Sequence, residues 1–240
     1  ILFFWASKGL NFRLDAIIFL GKDVYTGIVE SSEKVHPITK AVNEIVKMAN
    51  PNSVILTEVI QKIEVIKKFY GDPSKNDVEA ELNYNFHGMN ALWEALITND
   101  SANLYDNTSE AYSELANWGG WINFLRNHDG LTMECTSDTT KKKIREILMS
   151  RGISFMAGQN VTGRTFSLLG NNKERHVLAY FRLASRPGAS AFIYGDEIGK
   201  ANDYEFMREN TEIKRKLAGD KSLVEDARDI NRGFITESEI

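Results

Sequence analysis

The stretch Asn11–Leu20, "NFRLDAIIFL", sets an arginine and an aspartate two residues apart in an otherwise apolar run. Read as a strand, its side chains alternate between faces, so Phe12 and Leu14 point one way while Arg13 and Asp15 point the other. The two charges therefore share a face. A lone buried charge is very costly, so two opposite charges in such a run must compensate each other. They mark either a structural ion pair or a site, because both arrangements bring opposite charges together.

Four more apolar runs follow the first: "SVILTE" (Ser53–Glu58), "ELNYNF" (Glu81–Phe86), "WINFLRNHD" (Trp121–Asp129) and "SAFIYGDE" (Ser190–Glu197). Segments of helical period separate them. In "HPITKAVNEIVKMANP" the residues Ile38, Val42, Ile45 and Ala49 recur on one predicted face, and Pro51 follows the end. "HGMNALWEALIT", "TTKKKIREILMS" and "KERHVLAYFRLAS" repeat the pattern later in the chain. This βαβα order predicts an α/β fold with a parallel sheet and crossover helices. The charged stretch Lys200–Gly233 reads as a long loop holding a helix over Tyr204–Leu217, and "KKFYGD" as a solvated turn after a helix.

The chain has 240 residues, 42% hydrophobic and 26% charged, within the range of ordinary globular proteins. A net charge of -4 gives no polybasic footprint for nucleic acid. No run of residues suits a membrane span or a signal peptide. The single cysteine, Cys135, excludes an internal disulfide and a cysteine-based zinc site, and it allows a reducing compartment, which favours the cytoplasm. No cofactor and no metal are called for.

Acidic residues stand where apolar runs end: Asp15, Glu58 and Asp129. Barrel and open α/β proteins place their active sites at the carboxyl ends of strands, so the three acids can converge on one mouth. A solvated strand end for Glu58 and a satisfied loop histidine for His128 are the structural alternatives.

"FRLDA", "ILTEV", "FLRNHD" and "PGASAFIYGDEIG" resemble, in order, signature segments of the α-amylase superfamily of retaining α-glucoside hydrolases and transglycosidases. "YNFHGMNALWEALIT", "WGGWINFLRNHDGLT" and the "EDARDINRG" loop are most similar to its amylosucrase, sucrose phosphorylase and trehalose synthase branch. The resemblance implies a (β/α)8 TIM barrel with these motifs on or after its fourth, fifth, seventh and eighth strands. Counterparts of the first three strands, the inserted small domain and the C-terminal β domain are not found. Residues 1–240 are thus expected to form one incomplete catalytic barrel domain: the C-terminal five strands with their crossover helices. An open sheet of that kind has unpaired edges and an apolar inner face, so its expected partner is the missing N-terminal barrel segment or, failing that, another copy of the chain.

The resemblance also implies roles. Asp15 would be the nucleophile, its ionised form favoured by Arg13. Glu58, emerging from the apolar wall of Val54, Ile55 and Leu56, would have the raised pKa of a general acid. Asp129 would be the third carboxylate, holding sugar hydroxyls, with His128 donating to the same ring. Arg228, with Arg232 almost as good a match, would lie at the floor of a closed glucose pocket. Asp196 and Glu197 read as shaping the pocket edge, and Trp118, Trp121 and Tyr194 as packing aromatics that could instead stack on sugars. The implied activity is hydrolysis or glucosyl transfer on a small α-glucoside such as sucrose, maltose or trehalose through a covalent glucosyl-enzyme. The competing readings are a non-catalytic amylase-like scaffold or carbohydrate-binding module, and an inactive truncated piece.

Overall fold

A computed structural model describes residues 1–75, 77–104, 119–153, 155–156 and 160–239. Its central feature is a sheet of five short strands: β1 (Phe12–Leu14), β2 (Ile55–Thr57), β3 (Leu82–Tyr84), β4 (Gly120–Phe124) and β5 (Ala189–Ala191), adjacent in chain order. The pairings of β1 with β2, β2 with β3 and β3 with β4 are parallel. Each of the five runs read as strands overlaps one of these, and each strand is shorter than its run; β4 and β5 begin one residue before theirs, and β5 shares only Ser190 and Ala191 with the run Ser190–Glu197. The strand in "WINFLRNHD" stops at Phe124, which leaves His128 and Asp129 in a loop. β5 starts after Gly188, whose φ of 106° and the Trp121 carbonyl 2.6 Å from where a Cβ would stand both demand glycine.

The chain divides into two units. The first comprises Ile1–Phe86, Thr108–Asn123 and Pro187–Ala189; the second comprises His87–Asn107, Phe124–Arg186 and Ser190–Ile240.

In the first unit α1 (Leu2–Ser7) and α2 (Val35–Ala49) cover one face of the sheet, where Ala6, Val46, Ile55 and Ala80 form a buried cluster with Val42 and Ala49 packed on it. The helical spacing of α2 is as read, but the buried stripe is not. Ile38 and Ile45 are exposed, and Thr39 and Asn43 are buried instead. Burial is open to those polar side chains because each has a partner: the Thr39 hydroxyl donates to the Val35 carbonyl at 3.0 Å and Asn43 donates to the Glu79 carbonyl at 3.2 Å.

The same covered face carries a ladder of polar side chains. The Thr57 hydroxyl donates to Asn83, Asn85 donates to Asn123 at 2.9 Å, and Asn123 donates to the Pro187 carbonyl at 2.8 Å. By strand alternation Arg13, Leu56, Leu82, Tyr84 and Ile122 take the opposite face. "KKFYGD" is not a solvated turn throughout. Phe69 and Tyr70 are fully buried, Tyr70 packs edge-on to Trp121, and its hydroxyl donates to the Gly120 carbonyl at 2.9 Å. Two large aromatics side by side carry enough apolar area to pull the turn inward.

A short hairpin, Gly71–Asp72 paired with Asp77–Val78, follows, and the residue after it is pinned to α2. His36 Nδ1 contacts both oxygens of Glu79, at 2.9 and 3.0 Å. Glu33, Lys68, Asp77 and Lys40 are the other charges acting on this pair. The hydrogen bond to Glu79 raises the His36 pKa above its ordinary 6.5, and burial raises that of Glu79 above 4.5 despite the histidine. Both shifts have the same sign. Stability from His36 is complete below its ordinary pKa and is lost as pH climbs through the raised one, and a raised carboxyl likewise loses stability upward from its ordinary value. Thermal midpoints should therefore fall as the pH climbs past 6.5, and His36→Gln should flatten that slope. Parallel pH profiles for the two proteins would refute the assignment.

In the second unit three of the described helices start where a side chain caps them. α5 (Asp138–Ser150), the next after α3 (Ile63–Lys68) and α4 (Phe86–Thr98) among the longer described helices, begins behind Ser137, whose side chain accepts from Thr140 N–H at 3.1 Å. Its buried positions Thr140, Ile144 and Leu148 recur every four residues. After the single turn α6 (Thr165–Leu168), α7 (Lys173–Ala184) is capped by Asn172. α8 (Tyr204–Ala218) is capped by Asp203 and ends at Gly219 in a left-handed conformation, close to the bounds read from the sequence.

Candidate active site

In the first unit β1 and β2 run parallel, with Arg13 opposite Leu56 and Leu14 opposite Thr57. That register carries Asp15 and Glu58 out of the same end of the sheet, and the Glu58 N–H donates to the Leu14 carbonyl at 3.1 Å. Arg13 joins the two acids. Its Nη1 lies 2.6 Å from Asp15 and its Nη2 2.9 Å from Glu58. One planar fork thus holds both carboxylates. The guanidinium also lies 5.7 Å from the centre of the Tyr84 ring, a cation–π contact from β3 that the sequence reading missed. Tyr84 sits two strands over at the alternation parity of Arg13, which is the signal that could have identified it.

The two acids have different surroundings. The Asp15 side chain is 71% exposed, while Glu58 as a residue is 9% exposed. Burial pushes the Glu58 pKa above its ordinary 4.5, the Arg13 charge and the Ala16 N–H pull it back, and a hydrogen bond with Asp15 adds to the rise. The Ala16 N–H reaches Glu58 at 3.2 Å because Ala16 turns into the left-handed region, with φ 45°. A non-glycine residue pays about 1 kcal/mol for that conformation, so the backbone after Asp15 is strained where it supplies a donor to Glu58. An exposed carboxyl group beside a buried one whose surroundings favour its proton is the pairing that suits acid-assisted nucleophilic substitution.

The second unit gathers His128, Asp129, Arg228 and Arg232. Arg232 Nη2 donates to Asp129 at 2.9 Å and its Nε donates to the His128 carbonyl at 3.2 Å. Arg228 Nη1 reaches the same Asp129 oxygen at 3.4 Å. Arg228 is mainly engaged elsewhere: its Nε and Nη2 grip Asp226 at 2.6 to 3.0 Å and hold the Asp226 pKa below the usual carboxylate value. His128 Nε2 lies 3.5 Å from Asp129. Asp226 was not singled out in the sequence, although an acid two residues before Arg228 is a readable signal.

Asp196 is fully buried, accepting hydrogen bonds from Thr165 at 2.7 Å and from Tyr180. Its carbonyl meets His176 Nε2 at 2.7 Å, a set of contacts that suits a structural part. Nearby Arg126 is almost fully buried, which lowers its pKa to about 10, and it donates to the carbonyls of Asn127 and Asp129. Trp121 is buried as a packing residue, whereas Tyr194 is half-exposed, with the Arg164 guanidinium 4.9 Å from its ring centre. Trp118 lies outside the described residues. Among the described residues no group of three or more His, Cys, Asp or Glu side chains could hold a metal ion, and no helix is long and apolar enough to cross a membrane.

No protein-family model matches the chain. Among curated proteins it is 28% identical over 204 residues to a trehalose synthase of Thermus thermophilus, an alignment covering 85% of this chain and 21% of that protein. It is 28% identical over 199 residues to the trehalose synthase/amylase TreS of Mycobacterium tuberculosis, covering 82% and 32%. A glucosylglycerate phosphorylase of Escherichia coli matches at 25% over 267 residues, covering 95% and 44%. The chain thus spans less than half the length of these relatives. Among solved structures, the sucrose 6F-phosphate phosphorylase of Thermoanaerobacter thermosaccharolyticum superposes with a TM-score of 0.76 at 18% identity, over 99% of this chain and 45% of that one. An α-amylase from H. orenii gives 0.59 at 15% identity, over 84% and 33%. The five-stranded sheet and its helices have the fold of part of a TIM barrel, and the chain is similar to enzymes of the α-amylase superfamily, on the branch of the trehalose synthases and sucrose phosphorylases.

Proposed function

We propose that the protein to which this chain belongs is a retaining glucosyltransferase or hydrolase of a small α-glucoside, such as trehalose, maltose or sucrose. The observation that carries the reading is the bridging of Asp15 and Glu58 by one guanidinium, with the first exposed and the second buried and raised in pKa. Retaining enzymes hold their two carboxyl groups about 5 Å apart, a span that one arginine fork can bridge.

In the first half-reaction an Asp15 oxygen attacks the anomeric carbon, the bond from that carbon to the leaving oxygen breaks, and the Glu58 proton passes to the leaving oxygen. In the second, the Glu58 carboxylate takes the proton of water or of a sugar hydroxyl, whose oxygen attacks the anomeric carbon and releases Asp15. Inorganic phosphate can serve as the acceptor in the same position. The Arg13 charge favours the attacking carboxylate of Asp15, while burial favours the proton on Glu58. Asp129, oriented by its arginines, holds sugar hydroxyls, with His128 and Arg228 as further sugar-binding groups. The open edge of β1 pairs with the remaining strands of the barrel, from the rest of the polypeptide or from another copy.

Trapping tests the reading directly. A fluorinated glucosyl fluoride, which reacts quickly and hydrolyses slowly, should leave one glucosyl adduct per full-length molecule, and peptide mass spectrometry should place it on Asp15. An adduct on another residue, or none, would reject the assignment.

A further inference from the structure

The second unit contains a buried carboxylate, Asp229, that neither half-reaction uses. It sits in the 3-10 turn Ala227–Asn231 and is 1% exposed. One of its oxygens accepts from two side chains of α8, Asn210 at 2.8 Å and Lys214 at 2.6 Å. The other faces Arg232 Nη1 at 3.5 Å. The opposite arm of the same guanidinium is the one that donates to Asp129 at 2.9 Å. Charges therefore alternate along a line: Lys214, Asp229, Arg232, Asp129.

The distances decide which acid steers Arg232. Asp226 is the nearer candidate in sequence to Arg228, and it is occupied by that residue at 2.6 to 3.0 Å while standing 4.0 Å from Arg232. Asp229 is closer to Arg232 and is itself fixed by two donors from a fifteen-residue helix. A guanidinium is a rigid plane, so holding one arm sets the direction of the other two nitrogens. A carboxylate with no solvent to relax into is a firmer anchor than an exposed one.

We propose that Asp229 is a positioning residue that aims Arg232 at Asp129, so that α8 sets the orientation of the carboxylate that grips the sugar. The proposal rests on the glucosyl-transfer reading of the same site for its kinetic consequence, and on Arg232 alone for its structural one. With Asp229→Asn the negative charge facing Nη1 is lost, so Arg232 keeps only its contacts to the His128 carbonyl and to Asp129, and the direction of Asp129 is less firmly set. Misplacement of a binding group on the ångström scale weakens its contribution by roughly ten- to a hundredfold.

The experiment uses the full-length protein with nitrophenyl α-glucoside as the probe. Asp229→Asn should raise KM about tenfold while the stoichiometry of fluoroglucosyl trapping stays at the wild-type value. Combining it with Arg232→Ala should add nothing to the KM of Arg232→Ala alone, because both act through one contact. A merely structural role would instead lower the trapped fraction and leave KM unchanged, and that outcome, or additive KM effects, overturns the proposal. Lys214→Gln, at a half-exposed position, should move KM in the same direction by less and stands in if Asp229→Asn does not fold. Arginine side-chain NMR gives a readout independent of turnover. The Arg232 Nε–H, assigned by its absence in Arg232→Lys, should exchange slowly in the wild type and quickly in Asp229→Asn. Unchanged exchange would overturn the positioning role even if glucosyl transfer is confirmed, and faster exchange would uphold it even if Asp15 is never trapped.

Discussion

Asp15→Asn in the full-length protein should reduce turnover of any α-glucoside by on the order of ten-thousandfold or more, with no trapped glucosyl adduct. An amide oxygen is a poor nucleophile and cannot form the ester that splits the reaction in two. The substitution is almost isosteric and lies at a side chain that is 71% exposed, so its effect on folding should be small. It should also leave a signature at the neighbour. Asp15 contributes to the raised Glu58 pKa, so removing its charge lets Arg13 draw that pKa down. Any residual activity should therefore lose its alkaline side at lower pH than in the wild type. Wild-type rates, or a glucosyl adduct of unchanged yield, would remove Asp15 from the mechanism.

Glu58→Gln should have the second largest effect, and its size should depend on the leaving group. General acid catalysis contributes roughly a hundred- to ten-thousandfold, and all of that is needed when the departing oxygen belongs to a sugar. Nitrophenolate leaves without a proton, so the first half-reaction on nitrophenyl α-glucoside should be nearly spared while trehalose and sucrose turnover collapses. The glutamine cannot deprotonate an acceptor either, and the glucosyl-enzyme should accumulate. In the wild type the acid must carry its proton, so the rate should fall as pH rises through the raised Glu58 pKa, a limb that Glu58→Gln should abolish. Equal losses on the sugar and nitrophenyl substrates would show that Glu58 does not protonate the leaving group.

Much of this site was legible in the sequence because it depends on local periodicity. Strand alternation alone puts Arg13 and Asp15 on one face, and the observed contact of 2.6 Å is a two-residue relationship that no distant part of the chain has to supply. An acid that ends the apolar run of Val54, Ile55 and Leu56 is expected to be buried, and Glu58 is. The caps of α5, α7 and α8 are equally local, with a donor three residues from its acceptor, and the bounds of α8 were readable to about one residue.

The tertiary structure decided whatever depends on a partner far along the chain. Burial of Thr39 and Asn43 in place of Ile38 and Ile45 on α2 turns on which side of that helix meets the sheet and on whether a polar side chain finds an acceptor there. The sequence spacing fits several faces and identifies none of those acceptors. Phe69 and Tyr70 lie in a segment whose lysines and Gly-Asp turn suggest solvent, and their burial depends on distant partners: His36 and Val35 on α2 for Phe69, and Trp121 and the Gly120 carbonyl, about fifty residues away, for Tyr70. Arg228 and Arg232 match the same loop signature almost equally. Their division of labour, one gripping Asp226 and the other reaching from Asp229 to Asp129, is fixed by differences of about an ångström or less between contacts of 2.6 to 3.5 Å. Residue type and period determine the backbone element and the face a side chain takes. Which of two equivalent arginines holds a given carboxylate depends on Coulomb and hydrogen-bond energies that change steeply over one ångström, and only the packed structure sets those distances.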